Sequence, residues 1–517
     1  MGTRYFKLIC LLFFYIVFLA WPLGGCAPDK SAANGKEPKT VEHSGSGSQK
    51  LVKAPFYEDT QGLPNIEAPE GYDWKQFSGT TLNFLVENNI YANVLTKESE
   101  QFTKITGINV NIRPMDFSTL IEKINLDFIS KTGKYQIVYA DPYQTLNRFS
   151  KNFEDLNKYD KDPSLPHIPG SVGDFFEKQV EVDSYFLSND KLLTVPFDST
   201  TMILYYRKDI FNKYREQFMN EKGYDWTPGN KDFTWERYSE VSQWITDNVP
   251  KSEVKYGSGH MAKRHDSLYC DFSNVLASYG GDYFRDKNVE GLGLQAPSHL
   301  SMTDDRFIKA LKMYKQIINT AAPGSTSWDW TNAADAFKAG DIAMMPNWDE
   351  NESSMENLET SKVAGKVGYS ILPYGPVRSA NIFGGAGIGI NKDANETEKK
   401  AAWLFVVWAT SPQTELLVLT HPQGGVVPSR KSVYENSTVK MVVQEGTRGA
   451  VNYKNMLHLP VVLDAWKEEH AYYRPKISNF YDVEEIIVNQ LHRMLKENMG
   501  EKETAEAIAK QIEGLKK

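Results

Sequence analysis

The strictest constraint in this chain is an alternation of two periodicities between residues 81 and 140. Thr81-Leu82-Asn83-Phe84-Leu85-Val86 is a β-rich run that Glu87-Asn88-Asn89 ends. Over residues 92–106, Val94, Leu95, Phe102 and Ile105 recur at helical spacing, and Gly107 supplies a C-terminal stop. Residues 108–112 alternate as a strand, residues 117–130 repeat the helical pattern, and residues 135–140 form another β-rich run. Strand, helix, strand, helix, strand predicts a parallel sheet. In open sheets of that kind ligands sit beyond the carboxyl ends of the strands. That rule singles out Glu87 after the first strand and Asp141-Pro142-Tyr143 after the third.

A chain of 517 residues is too long for one core and predicts two to four domains. Residues 192–211 read as the passage between two of them. The β-rich run Leu192-Leu193-Thr194-Val195 meets Pro196, which has no amide proton for a ladder, so the chain is expected to leave its first sheet there. A polar knot, Asp198-Ser199-Thr200-Thr201, precedes a second run, Met202-Ile203-Leu204-Tyr205-Tyr206, which is assigned to another sheet. A carboxylate and hydroxyls at such a crossing are placed to hold a ligand between two halves, which makes Asp198 and Thr200 candidates. An ordinary hairpin with a polar turn satisfies the same local pattern.

Beyond the crossing the rhythm changes. Residues 235–248 form a predicted helix capped by Thr234, residues 255–261 a short strand, residues 268–279 a helix stopped by Gly280-Gly281, and residues 306–320 a further amphipathic helix. Residues 333–348 read as a short helix, a glycine stop and a strand ending in Trp348-Asp349-Glu350. Strands at 367–372 and 382–391 precede a helix at 396–410. The last hundred residues are mostly helical and finish in a solvated amphipathic helix at 503–515.

The N-terminus carries an address. Arg4 and Lys7 precede an apolar run over residues 8–21, shorter than the roughly 20 residues that a spanning helix needs, so residues 1–25 read as an export signal. Leu23-Gly24-Gly25-Cys26 resembles the lipobox of bacterial lipoproteins, in which Cys26 is acylated and becomes the mature N-terminus; an uncleaved anchor is the alternative. Both place the remainder outside the cytoplasmic membrane. Residues 26–55 then form a polar tether with little to bury, and residues 51–77 a Pro-rich, aromatic strap. After cleavage and acylation only Cys270 remains in the folded part, so no intramolecular disulfide forms and this thiol reads as a small buried hydrophobe.

Chemistry-bearing motifs are scarce. The net charge of -8 and the lack of a basic stripe argue against nucleic acid. The nine histidines never form His-Glu-x-x-His, and neither a Gly-x-Ser-x-Gly elbow nor a phosphate-binding Gly-x-x-x-x-Gly-Lys loop is present. The reading is therefore no catalytic residue, no metal and no cofactor. One enzyme class stays open, an exported glycoside hydrolase, whose two carboxylates a sequence does not pair.

Nine phrases in order carry a resemblance. They are Phe102-Thr103-Lys104-Ile105-Thr106-Gly107-Ile108 with Val110, residues 135–141, residues 192–211, Phe233-Thr234-Trp235-Glu236 and Tyr279-Gly280-Gly281. Residues 336–344, Gly384-Gly385, Ala401-Ala402-Trp403-Leu404-Phe405 and Val427-Pro428-Ser429-Arg430 complete the set. From Thr80 onward the chain resembles the extracellular solute-binding proteins of bacterial ATP-driven sugar importers, the family that includes maltose-binding proteins. The resemblance implies an α/β, two-lobed periplasmic-binding-protein fold of type II, hinged by crossing strands, with the ligand cleft between lobes. Lobe one is expected at 78–193 plus 366–412 and lobe two at 194–365 plus 413–517. It implies a monomeric binding protein, not an enzyme, that captures a sugar, polyol or short oligosaccharide and hands it to a membrane permease. A lipid anchor would hold it on the outer face of the membrane, at a Gram-positive surface. A module feeding a sensor in place of a transporter is the alternative.

Site residues follow from matched positions. Asp141 stands at the family's polar position after a strand, where capping the next helix is the competing role. Trp348 matches the family's stacking platform beside Asp349, against a buried core tryptophan. Gly384 and Gly385 match a glycine pair that lets backbone approach the ligand; the glycines run into a strand and lack dinucleotide spacing. For Asp198 and Thr200 the competing role is a hinge hydrogen bond. Glu87, Tyr143, Tyr269, Arg264 and His265 are further candidates. Lys263-Arg264-His265-Asp266 is either a solvated turn or a cationic site for an acidic or sulfonated sugar.

Overall fold

The computed structural model describes residues 50–59, 61–445 and 454–515. The export signal, Cys26 and residues 26–49 of the tether lie outside them.

Two sheets organise the described chain. The first contains β1 (Thr81–Glu87), β2 (Asn109–Met115), β3 (Ile137–Ala140), β4 (Thr194–Asp198) and, much later in sequence, β8 (Ala386–Ile390), in the order β2-β1-β3-β8-β4. β1 runs parallel to both β2 and β3, as the alternation predicts. β8 runs antiparallel to β3 and β4. The second sheet places β5 (Met202–Arg207) between β6 (Met344–Trp348) and β7 (Val367–Ser370), all antiparallel. Tyr205 and Tyr206 thus belong to the second sheet, as expected.

Local chemistry sets the helices of the first layer. Asn89 caps the helix Ile90–Thr106 by accepting from the backbone of Ala92, and Gly107 ends it at φ 69°. Asp116 caps Phe117–Ser130 in the same way. Each sheet has its own core. Phe84, Phe102, Phe197, Phe405 and Trp408 pack around the first, and Tyr205, Trp226, Trp235, Phe337 and Trp348 around the second.

Several expectations are corrected. Pro196 does not end its strand: β4 continues to Asp198, and the missing amide proton is tolerated because β4 is the edge of its sheet. Residues 194–198 therefore lie in the first sheet, not in lobe two. Val367–Ser370 pairs with β5 in the second sheet, so lobe one does not resume at 366. Residues beyond 413 serve both cores, since Val418 and Val426 join the first while Leu416, Leu419 and Val427 join the second. The tether stops short of residue 51: Leu51–Lys53 pairs with Glu67–Pro69, and Phe56 is buried against Trp74 and Phe102. Residues 255–261 form no strand ladder, only a bridge from Tyr256 to Ile342. The final helix, Glu501–Gly514, is amphipathic, but it buries Ala505, Ile508 and Ile512 in the second core.

Candidate functional site

The register of the first sheet brings its polar strand ends together. Ala386 of β8 lies opposite Asp198, and Gly387 lies opposite Ala140. Because β8 is antiparallel to its neighbours, its amino end shares one edge with the carboxyl ends of β1, β3 and β4. Glu87, Asp141, Asp198 and the pair Gly384-Gly385 therefore meet at that edge. The second sheet approaches from the opposite side: Trp348, the last residue of β6, pairs with Met202, the first of β5.

Two connections cross between the sheets, 198–202 and 382–386, and they are bonded to one another. The Gly384 amide donates to Thr200 O at 2.8 Å, and Thr201 Oγ1 donates to Ile382 O at 2.9 Å. Small residues are required here. A Cβ on Gly384 would stand 2.7 Å from Thr200 Cγ2 and 2.9 Å from the Trp348 ring. Gly385 has φ 40°, and a Cβ there would meet the Phe383 ring at 2.2 Å.

A narrow cleft opens at this junction, with a cavity volume of about 40 Å³, so the lobes stand close together around the lining residues. Seven of the expected residues line it: Glu87, Asp141, Asp198, Thr200, Trp348, Gly384 and Gly385. Six others complete the lining: Phe117, Tyr139, Asp266, Trp330, Glu350 and Arg474. Tyr139 lies on β3 one residue before its end, so strand position alone could have found it. Trp330 opens the helix Trp330–Lys338 behind an Asp329–Asn332 capping box. Arg474 follows a two-residue strand, and no motif flags it.

The carboxyl groups are held by hydrogen bonds, with a single cation beside them. The Tyr139 hydroxyl lies 3.2 Å from Glu87 Oε2 and 3.4 Å from Asp198 Oδ2, which also accepts from Asn89 Nδ2 at 2.9 Å. Asp141 Oδ1 accepts from the amides of Tyr143 and Gln144, so the capping role is real, while Oδ2 stands 3.6 Å from Arg474. Burial pushes Asp141 up to about 6 despite that guanidinium. Burial, then the neighbouring Asp198, raises Glu87; burial also raises Asp198 and Glu350. Closely spaced buried carboxyls of this kind hold protons readily, so they both accept and donate hydrogen bonds near neutral pH.

Five expected residues stand elsewhere. Asp349 is buried beside the hinge and turned to Thr200 and Thr201, while its neighbour Glu350 lines the cleft. Tyr143 is buried beneath Arg474, whose guanidinium covers its ring at 3.9 Å. Tyr269 is a core residue stacked on Tyr283 at 4.9 Å, because the helix Asp266–Ser278 is buried on all its faces. Arg264 and His265 line an adjoining chamber, with Tyr481, Glu484 and Asn489, that shares Phe117 and Asp266 with the cleft. There Arg264 donates to Asn489 Oδ1 at 3.1 Å, and His265 caps its helix by accepting from Ser267.

The profile of bacterial extracellular solute-binding proteins matches residues 88–415, nearly two thirds of the chain and the span that supplies most of the cleft. The chain belongs to this family. An erythritol/L-threitol-binding protein of Mycolicibacterium smegmatis is 24% identical over 392 residues, which cover 73% of this chain and 76% of the relative. Among solved structures, maltose-bound MalE3 of T. maritima superposes with a TM-score of 0.68 at 26% identity, covering 84% of this chain and 100% of that one. A solute-binding protein of an ABC transporter from Agrobacterium radiobacter, in complex with ribitol, gives a TM-score of 0.68 at 23% identity, over 85% of this chain and 99% of that one. The family membership and these neighbours establish the two-lobed, type II periplasmic-binding fold. The family match makes the protein a bacterial extracellular solute-binding protein.

Proposed function

We propose that this solute-binding protein captures a carbohydrate, whether sugar, polyol or short oligosaccharide, outside the cell and delivers it to the permease of its importer. The observation that carries this is the cleft itself. Sugars present hydroxyl rings above flat C–H faces, and this site offers buried carboxylates beside the indoles of Trp330 and Trp348 at the crossing of two lobes. The relatives that bind erythritol, L-threitol, ribitol and maltose support the same class. Binding is reversible and non-catalytic: ligand contacts made by both lobes favour the closed state, and reopening at the permease releases the solute.

Intrinsic fluorescence across a sugar and polyol panel tests the reading, because two of the 11 tryptophans line the cleft. A saturable change with at least one carbohydrate is expected; a flat response to all of them refutes a carbohydrate ligand. The lipobox-like stretch ending at Cys26 supports a tether to the outer face of the membrane. Metabolic labelling with a fatty acid should mark the wild-type chain and not Cys26→Ala.

A further inference from the structure

The acidic groups around the cleft outnumber the cations facing it. Glu87, Asp141, Asp198, Asp266 and Glu350 line it against one guanidinium, Arg474: five carboxyls less one cation give an excess of four when all are ionised. Because burial favours the protonated form of Glu87, Asp198 and Glu350, an entering cation is what would ionise them. Arg474 is already engaged. Its Nη2 donates to Gly384 O at 3.1 Å and stands 3.6 Å from Asp141, at one side of the cleft only.

A second observation is independent of that count. Asp198 is 1% exposed, and among the described residues its Oδ1 has no side-chain donor, although Oδ2 is held by Asn89 and the carboxylate draws the backbone amide of Thr200. Glu350 Oε2 likewise has no donor among the described residues. An unpartnered buried acceptor costs about 1–3 kcal/mol, and more when it is charged, so these oxygens are in place for a donor that the protein does not supply. Around them stand Phe117, Tyr139, Trp330 and Trp348, and aromatic faces attract cations as well as C–H surfaces. A metal ion does not fit the gap: among the described residues no three acid, histidine or cysteine side chains converge to hold one.

We propose that the solute is a cationic member of the carbohydrate class, an amino sugar or amino polyol whose ammonium group lies among Glu87, Asp198 and Glu350 while its carbon skeleton rests on the tryptophans. The proposal rests on the carbohydrate reading above and narrows it. It disfavours sugar phosphates, uronic acids and sulfonated sugars, because an anionic ligand would force these carboxyls to stay protonated while a cation lets them ionise and pair with it. The cation of the adjoining chamber, Arg264, does not reverse this, since Glu484 and Glu485 line that chamber with it.

Calorimetric titration with matched compounds of one skeleton tests it. Suitable sets are D-glucosamine, N-acetyl-D-glucosamine and D-glucose; D-galactosamine and D-galactose; 1-amino-1-deoxy-D-glucitol and D-glucitol; and the glucosamine disaccharide with cellobiose. In any set that binds, the amine should be at least about tenfold tighter than its neutral partner, the effect of one charge-assisted hydrogen bond. Glu87→Gln and Asp198→Asn should bring that ratio close to one, while Glu100→Gln on the exposed face of the helix Ile90–Thr106 leaves it unchanged. A neutral or N-acetylated member that binds as tightly as the amine overturns the cationic assignment and leaves the carbohydrate reading standing. No binding by any member overturns both. If a variant fails to fold, the wild-type ratio alone decides.

Discussion

Asp349 holds the lobe crossing from behind: its Oδ1 accepts from Thr200 Oγ1 at 2.6 Å and from the amide of Thr201 at 2.7 Å. The same turn is gripped by the Tyr205 hydroxyl, 2.8 Å from the carbonyls of both Trp348 and Asp349. The hinge and the platform of the cleft are thereby one bonded unit. Asp349→Ala leaves the buried Thr201 amide without an acceptor, at a cost of about 1–3 kcal/mol, also removes the partner of the part-buried Thr200 hydroxyl, and frees Thr200 and Trp348 to shift. A clear drop in Tm with weaker ligand binding is expected, and Asp349→Asn, which keeps an acceptor oxygen, should recover most of the stability. Thermal unfolding followed by circular dichroism measures this; a wild-type Tm for Asp349→Ala would remove the hinge role.

The same residue predicts a pH dependence. Burial, against the hydrogen bonds from Thr200 and Thr201, pushes Asp349 from an ordinary 3.8 up to about 7. The folded protein then keeps a proton that the unfolded chain releases above about pH 4, so this group's contribution is full below that pH and is lost as pH rises to about 7. Asp141, raised to about 6, and Glu415, raised to about 7, act in the same direction. His458, pushed down to about 3 by burial, acts oppositely, losing stability as pH falls below 6.5. Comparison with Asp349→Asn isolates the one group. Urea unfolding should show the wild type losing stability relative to the variant between about pH 4 and 7, and running parallel to it above that.

Gly385→Ala should be strongly destabilising. Its φ of 40° is a region that L side chains rarely adopt, and its Cβ would overlap the Phe383 ring and approach Asp183 Oδ1 at 2.7 Å. A strained backbone position costs about 1–3 kcal/mol before the overlap is counted. Chemical denaturation measures the loss, and a variant within about 0.5 kcal/mol of wild type would show that the crossing relaxes freely.

Much of the site was legible because strand ends are legible. Glu87 and Asp141 each follow a β-rich run, where one rule about open sheets places a ligand, and Asp198 sits at the polar crossing between two sheets. What failed were choices between neighbours. Asp349 and Glu350 are adjacent acids after the same strand, and only the turn Asp349–Asn351 decides which one faces the hinge and which the cleft. Tyr269 failed for a different reason: the helix Asp266–Ser278 is buried on every side, and sequence periodicity does not reveal a second wall. Arg474 was invisible because its place depends on Asn381–Ile382 pairing with Ala471–Tyr472, residues about ninety apart in sequence.

Trp330 is the cleft residue whose removal should separate binding from folding. It is half-buried, lies edge-on to His265 at 4.6 Å, and touches Phe117 across the cleft at 5.9 Å. Trp330→Ala should weaken the ligand identified by titration by roughly three- to tenfold, equivalent to about 0.5–1.5 kcal/mol for one aromatic contact. Its Tm without ligand should stay near that of the wild type. An unchanged affinity would move the stacking role to Trp348 alone.

Arg430 should show the reverse, a large effect on stability without contact to the cleft. The side chain is fully buried. Nη1 donates to Pro169 O at 2.6 Å and to Asp174 Oδ2 at 3.0 Å, Nε donates to Thr410 O, and the guanidinium lies 3.9 Å from the Phe175 ring centre. Its own amide donates to Glu415 Oε2 at 3.2 Å. One planar cation thus joins the loop before residue 175, the end of the helix Glu396–Ala409 and the segment that serves both cores. Lysine offers a single point charge and no fork, so Arg430→Lys loses most of these bonds and is not conservative. Arg430→Met also leaves Asp174 and Glu415 without their cation, and a loss of about 3–5 kcal/mol is expected from breaking a buried pair on one side. Urea denaturation measures both variants, with ligand titration at a temperature where they remain folded. Loss of affinity in a folded Arg430→Met protein would mean that this cation also sets how the lobes close.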